Sequence, residues 1–456
     1  MIRTAMLAAT ALLLAPLPAS AQSAQEALDA RYDRALAAGY KALFLCGALG
    51  SDPTGLRRSE ASVLAYELTG IYPTLDPIVR TLEHRVERGS DGLVDYVAVD
   101  WAQDMPPRVA AYRAALGCAL LPIGASPPDT ETPRGLLIDR VGDPTVYPLR
   151  ERIARATQEV ASRALGDAYG ADARTTAVLI RKGDLTRGAA FAPGFDANVP
   201  QRTWSVAKSI AATLVGAAVQ RGQADVQASA GLGYDESDPR RAITIDHLLR
   251  MASGRYSDTP GNRTDPLYAG GSSVGETALG WPLLYPPGSV FRYSNNDILA
   301  AVRAIGPAME EHPPHALFQQ LGMHSTTAET DWRGDYILSS QVWTSAADLA
   351  RFGQLHLNGG VWNGTRFLPE DWVRYVSTPS GPQPEGEMGY GAGWWLLNRY
   401  QGIPADTFAA QGNRGQYVVI VPSRDVVIVR RGEDPAGGSG FDIVAFTRDV
   451  LAALEE

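Results

Sequence analysis

Ser205 and Lys208 stand three residues apart at the head of an uncharged apolar run, SVAKSIAATLVGAAV, and carry the strongest chemical signal in the chain. Of the 41 Lys and Arg residues only Lys41, Lys182 and Lys208 are lysines. Arg stays charged in a protein, whereas a desolvated Lys can release its proton. Positions i and i+3 share a helix face, so the amine can reach the hydroxyl. At a helix start the Ser205 N–H has no intrahelical partner and can face an oxyanion. The positive end of the helix dipole and the apolar surroundings both disfavour an ammonium there, which predicts an amine able to accept the serine's proton. A chance serine with a snorkelling lysine gives the same four letters, so the pair needs partners.

Two later segments offer them. In PPGSVFRYSNNDILAAV, Tyr293 and Asn295 precede a helix. A tyrosine near a cationic lysine can donate and accept protons, and an amide can orient a carbonyl; the plainer reading is a packing tyrosine and an N-cap. In AAQGNRGQYVVIV, Gly412 and Gly415 enter a strand expected at a sheet edge. Glycine allows close backbone approach there, so an N–H in this turn can serve as a second oxyanion donor.

Competing chemistry is weaker. The six histidines adjoin no serine-elbow motif, and His312 and His315 in EHPPH read as solvated loop. His247 reads as a packed helix residue. No P-loop or dinucleotide fingerprint is present. GGSSVGE contains G-x-S-x-G around Ser273, but a loop-like stretch precedes it where a buried strand is required, so Ser273 is expected to be a loop serine. Cys46 and Cys118 lack redox or zinc spacing; one disulfide tying the N-terminal third is preferred over two buried thiols.

These residues need a scaffold. A helix over 205–221 is expected to end at Gly222. TTAVLIRKGDL reads as a strand and turn, GQYVVIVPSRDVVIVRRG as a hairpin around Pro422-Ser423-Arg424-Asp425, and GFDIVAFTRDVLAALEE as a closing helix. A largely antiparallel sheet assembled from distant segments follows, with the helices of the middle (TIDHLLRMASG, NDILAAVRAIG, SAADLARFGQLHLNGG) inserted as a lobe. Upstream, ALDARYDRALAAGYKALFL, DPIVRTLEHRVERG and YPLRERIARATQEVASRALG carry helical spacing, and GLVDYVAVDW reads as a strand.

The chain has 456 residues, 45% of them hydrophobic, and a formal charge of −9. This suits two or three domains and argues against nucleic acid or an anionic membrane as partner. The start reads as a secretory signal, with Arg3, an apolar run over 5–15 and an Ala19-Ser20-Ala21 cleavage site. The expected organisation is a signal peptide over 1–21, an extension over 22–135 closed by the linker GASPPDTETPRG, and a main domain over 136–456. Export to the periplasm or medium is expected.

S-x-x-K at a helix start, Y-x-N downstream, then a glycine motif before the terminal hairpin and helix together resemble the penicillin-recognising serine hydrolases. Within them the chain is similar to the branch of class C β-lactamases, family VIII-type esterases and 6-aminohexanoate-dimer hydrolase. The resemblance covers about residues 136–456 and implies an α/β fold of the β-lactamase/DD-peptidase type, an antiparallel sheet flanked by helices with a mainly helical inserted lobe. It implies that Ser205 is acylated, that Lys208 and Tyr293 move protons, that the N–H groups of Ser205 and Asn413 form the oxyanion hole beside Gly412, and that Asn295 orients substrate. A small amide or ester substrate is implied, with no metal or cofactor; a non-catalytic relative that binds peptidoglycan peptides or a partner is the alternative. Where the family carries Lys or His and then Ser or Thr before the motif glycine, this chain has Ala410-Gln411, which shifts the expectation from β-lactams towards simpler amides or esters. Arg414 is a candidate replacement for the missing charge, Tyr256 for a substrate-contacting tyrosine, and Trp394 and Trp395 for pocket walls or core.

Overall fold

The computed structural model describes residues 19–52, 58–90, 92–126, 149–256, 264–438 and 440–456. Residues 1–18 of the signal peptide expected over 1–21, and most of the expected linker, from 127, lie outside the described residues.

The strand Val426–Gly432 is buried along its whole length because the sheet puts partners on both of its edges and helices on both of its faces. It pairs antiparallel with Gln416–Val421 on one side and with Thr175–Lys182 on the other. Among the described residues the sheet has eight strands, in the order Gly389–Tyr390, Trp395–Leu396, Phe408–Gly412, Gln416–Val421, Val426–Gly432, Thr175–Lys182, Leu185–Phe191 and Arg150–Glu151. Only the last pair is parallel. Side chains alternate across the sheet as the strand period requires. Ala177, Leu179, Val427 and Val429 face a core shared with the helices Val206–Gln220 and Ala346–Leu357. Val178, Ile180, Val426 and Ile428 face a second core under Arg155–Arg163 and Ile443–Ala453. The result is a helix–sheet–helix sandwich, with the hairpin, the turn at 183–184 and the closing helix where the sequence pattern predicts them.

The N-terminal segment builds its own layer. The helix Ala19–Gly50 lies across a four-stranded antiparallel sheet of His84–Arg88, Val94–Val99, Arg108–Arg113 and Gly117–Leu120. Its core includes Trp204, Ala269 and Trp343 from later in the chain. The approach is close: a Cβ on Gly47 would lie 2.3 Å from Trp343 Nε1, a contact only glycine allows. Cys46 and Cys118 form a disulfide that fastens the helix to the sheet, with Cα atoms 5.9 Å apart.

Two expectations need correction. DPIVRTLEHRVERG is not one helix: Asp76–Val79 forms a single turn and His84–Arg88 is a strand. Pairing from His84↔Val99 to Arg88↔Val94 gives these backbone groups cross-strand partners, which outweighs a weak local helical preference. In YPLRERIARATQEVASRALG the helix is limited to Arg155–Arg163, because Arg150–Glu151 pairs with Leu185–Thr186 instead.

Candidate active site

The chain reaches Ser205 along a well-anchored path. Gln201–Arg202 pairs with Trp343–Thr344, and the Thr203 N–H donates to Val342 O at 2.8 Å. Trp204 then takes a left-handed conformation, φ 50°. For a bulky residue this costs on the order of 1–2 kcal/mol and persists only where packing over-determines it. Here the Arg202 guanidinium sits 4.4 Å from the indole centroid, and Phe44 and Tyr72 of the N-terminal segment approach at 5.7 and 6.3 Å. Ser205 follows as the residue that caps Val206–Gln220, a helix ended just before Gly222.

Lys208, one turn on, is 1% exposed. Its Nζ lies 2.8 Å from Ser205 Oγ, 2.7 Å from Asn295 Oδ1 and 2.8 Å from the carbonyl oxygen of Ser339. Asn295 is oriented by its other end, where Nδ2 donates to Thr264 Oγ1 at 3.1 Å. Two of these partners, the Asn295 and Ser339 oxygens, are pure acceptors, and each needs an N–H. A neutral amine has two N–H groups and one lone pair. With its N–H groups on the carbonyl oxygens, such an amine can accept a hydrogen bond from the Ser205 hydroxyl 2.8 Å away. The same contacts suit an ammonium that donates all three protons.

The Tyr293 ring centroid lies 5.0 Å from Lys208 Nζ. The ring is held by Trp395 at 5.4 Å and Tyr390 at 6.1 Å. Ser294 caps the helix Asn295–Ala304, accepting from the Asp297 N–H, so the cap and the candidate site residues coexist in one segment. On the opposite flank, the strand Phe408–Gly412 pairs with Trp395–Leu396 only through Phe408 and Ala409. Beyond them its edge turns to the serine helix. A Cβ on Gly412 would lie 2.2 Å from Thr203 O and 3.1 Å from Ser205 N, so glycine lets the two backbones meet and brings Asn413 to the mouth of the site.

The structure thus brings Ser205, Lys208, Tyr293, Asn295 and Gly412-Asn413 around one point. Others separate. Arg414 turns away: its guanidinium donates to the carbonyl oxygens of Tyr66, Glu67 and Thr69 and pairs with Glu433 at 3.0 Å, so it pins the N-terminal segment and supplies no charge to the site. Trp394 is core, stacked 5.6 Å from Phe352, whereas its neighbour Trp395 lines the site. Tyr256 packs on Trp281 at 5.9 Å. Ser273 caps the short helix Val274–Ala278 in a capping box with Glu276, with no strand leading into it, so no nucleophile elbow forms. His247 also closes a capping box, with Thr244. Among the described residues no group of His, Cys, Asp and Glu is arranged to hold a metal ion. Sequence reading missed Ser339, whose contribution is a backbone carbonyl, and Tyr268, whose hydroxyl meets Ser339 Oγ at 2.6 Å. A main-chain oxygen has no residue signature, so nothing in the sequence marks Ser339.

The strand after Gly412 is an inner one, paired on both sides, and not the expected edge strand. A serine at a helix start bonded to a buried lysine, set against an antiparallel sheet between helical layers, defines the penicillin-recognising type of serine hydrolase fold. The beta-lactamase family model matches residues 156–430. Over 292 residues the chain is 25% identical to a 6-aminohexanoate-dimer hydrolase of Paenarthrobacter ureafaciens, a stretch that spans 57% of this chain and 73% of that one. A solved structure named "Putative 6-aminohexanoate-dimer hydrolase from Bacillus anthracis" superimposes with a TM-score of 0.54 at 20% identity, covering 67% of this chain and 87% of that one. A "putative beta-lactamase from Bacteroides dorei" does so with a TM-score of 0.51 at 18% identity over 61% and 93%. The chain belongs to the beta-lactamase family.

Proposed function

We propose that this protein is an exported serine hydrolase that cleaves a small amide or ester through an acyl-enzyme on Ser205. Lys208 accepts the Ser205 proton as Oγ attacks the substrate carbonyl carbon. The carbonyl π electrons move onto oxygen, and the N–H groups of Ser205 and Asn413 hold the resulting oxyanion. Collapse breaks the bond to the leaving nitrogen or oxygen, which takes up the proton through Lys208 and Tyr293. Water then attacks the ester on Ser205 and passes a proton back along the same groups. Free acid departs, and the serine hydroxyl is restored. Asn295 fixes the lysine through Oδ1 and orients the substrate.

The observation that carries this reading is the placement of the Lys208 amine, 2.8 Å from Ser205 Oγ and held there by the oxygens of Asn295 and Ser339. The inward turn of Arg414 leaves Ala410-Gln411 without a substitute cation at that edge, which favours a neutral amide or ester over a β-lactam carboxylate. The named activity of the Paenarthrobacter relative, hydrolysis of an amide dimer, is in keeping with this choice. Export rests on the leader-like start of the sequence; among the described residues no helix is long and apolar enough to cross a membrane.

A fluorophosphonate probe followed by peptide mapping tests the proposal. Label on the peptide containing Ser205, lost in Ser205→Ala, is the expected outcome. Absence of label and of turnover on p-nitrophenyl esters and small linear amides would instead make the protein a binder.

A further inference from the structure

Beside Trp204 and Asn413 lies a cavity of about 670 Å³, a volume suited to a small-molecule group. Its walls come from both ends of the chain. Leu36, Tyr40 and Tyr72 belong to the N-terminal segment; Trp204, Tyr268 and Asn413 belong to the hydrolase part. Residues matched by the beta-lactamase family start at 156, so one side of this cavity lies outside the family's common part.

Its position relative to the reacting atoms follows from the tetrahedral carbon. With the oxyanion between the N–H groups of Ser205 and Asn413, the leaving atom must face the proton donor, Tyr293, which stands with Trp395 and Tyr390. None of these three lines the cavity. The cavity lies on the other flank, lined by Trp204, which precedes Ser205, and by Asn413, which follows Gly412, and so is placed to receive the remaining substituent, the acyl group. The geometry points to an acyl-group subsite completed by the N-terminal segment, which takes a neutral aryl or long alkyl chain. This rests on the acyl-enzyme reading above. Asp33 and Asp265 repel an anion, and the one guanidinium in the lining, Arg202, is committed to Ser340 and to the faces of Phe44 and Trp204; the preference for an uncharged chain comes from the apolar bulk of Leu36, Leu75, Tyr40 and Trp204. The aromatic walls favour apolar contact, which is worth roughly 10- to 200-fold in discrimination for each methylene-sized fit.

Esters with one leaving group and different acyl groups isolate this subsite. The parent should show a higher kcat/KM for p-nitrophenyl phenylacetate and hexanoate than for p-nitrophenyl acetate. Thr74 stands exposed at the cavity rim; Thr74→Trp should lower the phenylacetate-to-acetate ratio by ~10-fold or more. Leu36→Ala deepens the cavity and should move the preference from hexanoate towards decanoate, which decides the matter if the first variant does not fold. A parent that prefers acetate, or variants that hydrolyse acetate with the parent's ratios, overturn the subsite while leaving the acyl-enzyme intact. Failure of every ester together with no fluorophosphonate label on Ser205 overturns both.

Discussion

Lys208 is where protonation state decides between a reactive and an inert hydroxyl. Its neighbours supply two carbonyl oxygens and one hydroxyl, so replacing it by arginine, which cannot release a proton, removes the base while retaining the charge. Lys208→Arg and Lys208→Ala should each lower kcat/KM on an accepted ester by about 10²–10⁴-fold, the range for loss of general-base help. Circular dichroism and thermal melting of the same samples would show whether the fold survives. Equal activity in parent and Lys208→Arg would remove the amine from the mechanism. This part of the site was legible because the amino acid itself is informative: a chain that uses Arg almost throughout has Lys at the helical position facing Ser205. The Ser339 oxygen was not legible, since any residue there would present the same carbonyl. Nor was the direction of Arg414, because a long side chain beside the site can reach either of two surfaces.

The turn between Phe408–Gly412 and Gln416–Val421 joins two roles in neighbouring residues. Asn413 is presented to the site, and Arg414, with φ 59°, is directed away from it into the N-terminal segment. Arg414 is 3% exposed and bonded to three carbonyl oxygens of residues 66–69. Removing one partner of a buried charge pair leaves the other uncompensated, so Arg414→Ala should destabilise the protein by about 3–5 kcal/mol in urea unfolding. A change within 1 kcal/mol would show that the anchor is dispensable. Phe44→Ala should cost a similar amount, about 3–5 kcal/mol by loss of a buried ring. It should also reduce the rate of fluorophosphonate labelling at Ser205, because Phe44 packs on the indole that sets the preceding backbone. The hairpins and long helices were readable from period and turn residues. The strand His84–Arg88 was not, because its pattern suits a helix until Val94–Val99 offers it hydrogen bonds.

Glu329 couples the two halves of the molecule and makes their union sensitive to pH. Its Oε1 accepts the Cys118 N–H at 3.0 Å, tying the N-terminal sheet to the hydrolase part. Burial is the main cause that raises this carboxyl from 4.5 to about 7, opposed by the Cys118 N–H, Arg202 and Arg113. A folded value above the unfolded one means that the protonated carboxyl's contribution is complete below about 4.5 and is lost as pH rises through about 7. Urea midpoints for the parent and Glu329→Gln should therefore separate in favour of the glutamine as pH rises from about 4.5 to about 7 and stay apart above it; parallel profiles would remove Glu329 as the source. The disulfide adds a second tie. Cys46 and Cys118 are 72 residues apart, and replacing both by serine should cost about 2–4 kcal/mol.

The strand at the middle of the main sheet comes from residues 426–432 of a chain of 456, and its partner Thr175–Lys182 is made about 250 residues earlier. On the ribosome, that earlier strand waits with one side open to stray pairing. Assembly of the reaction centre consequently waits for a strand made about 250 positions further on, and a chain that stops before Val426 would be sticky and inactive rather than weakly functional.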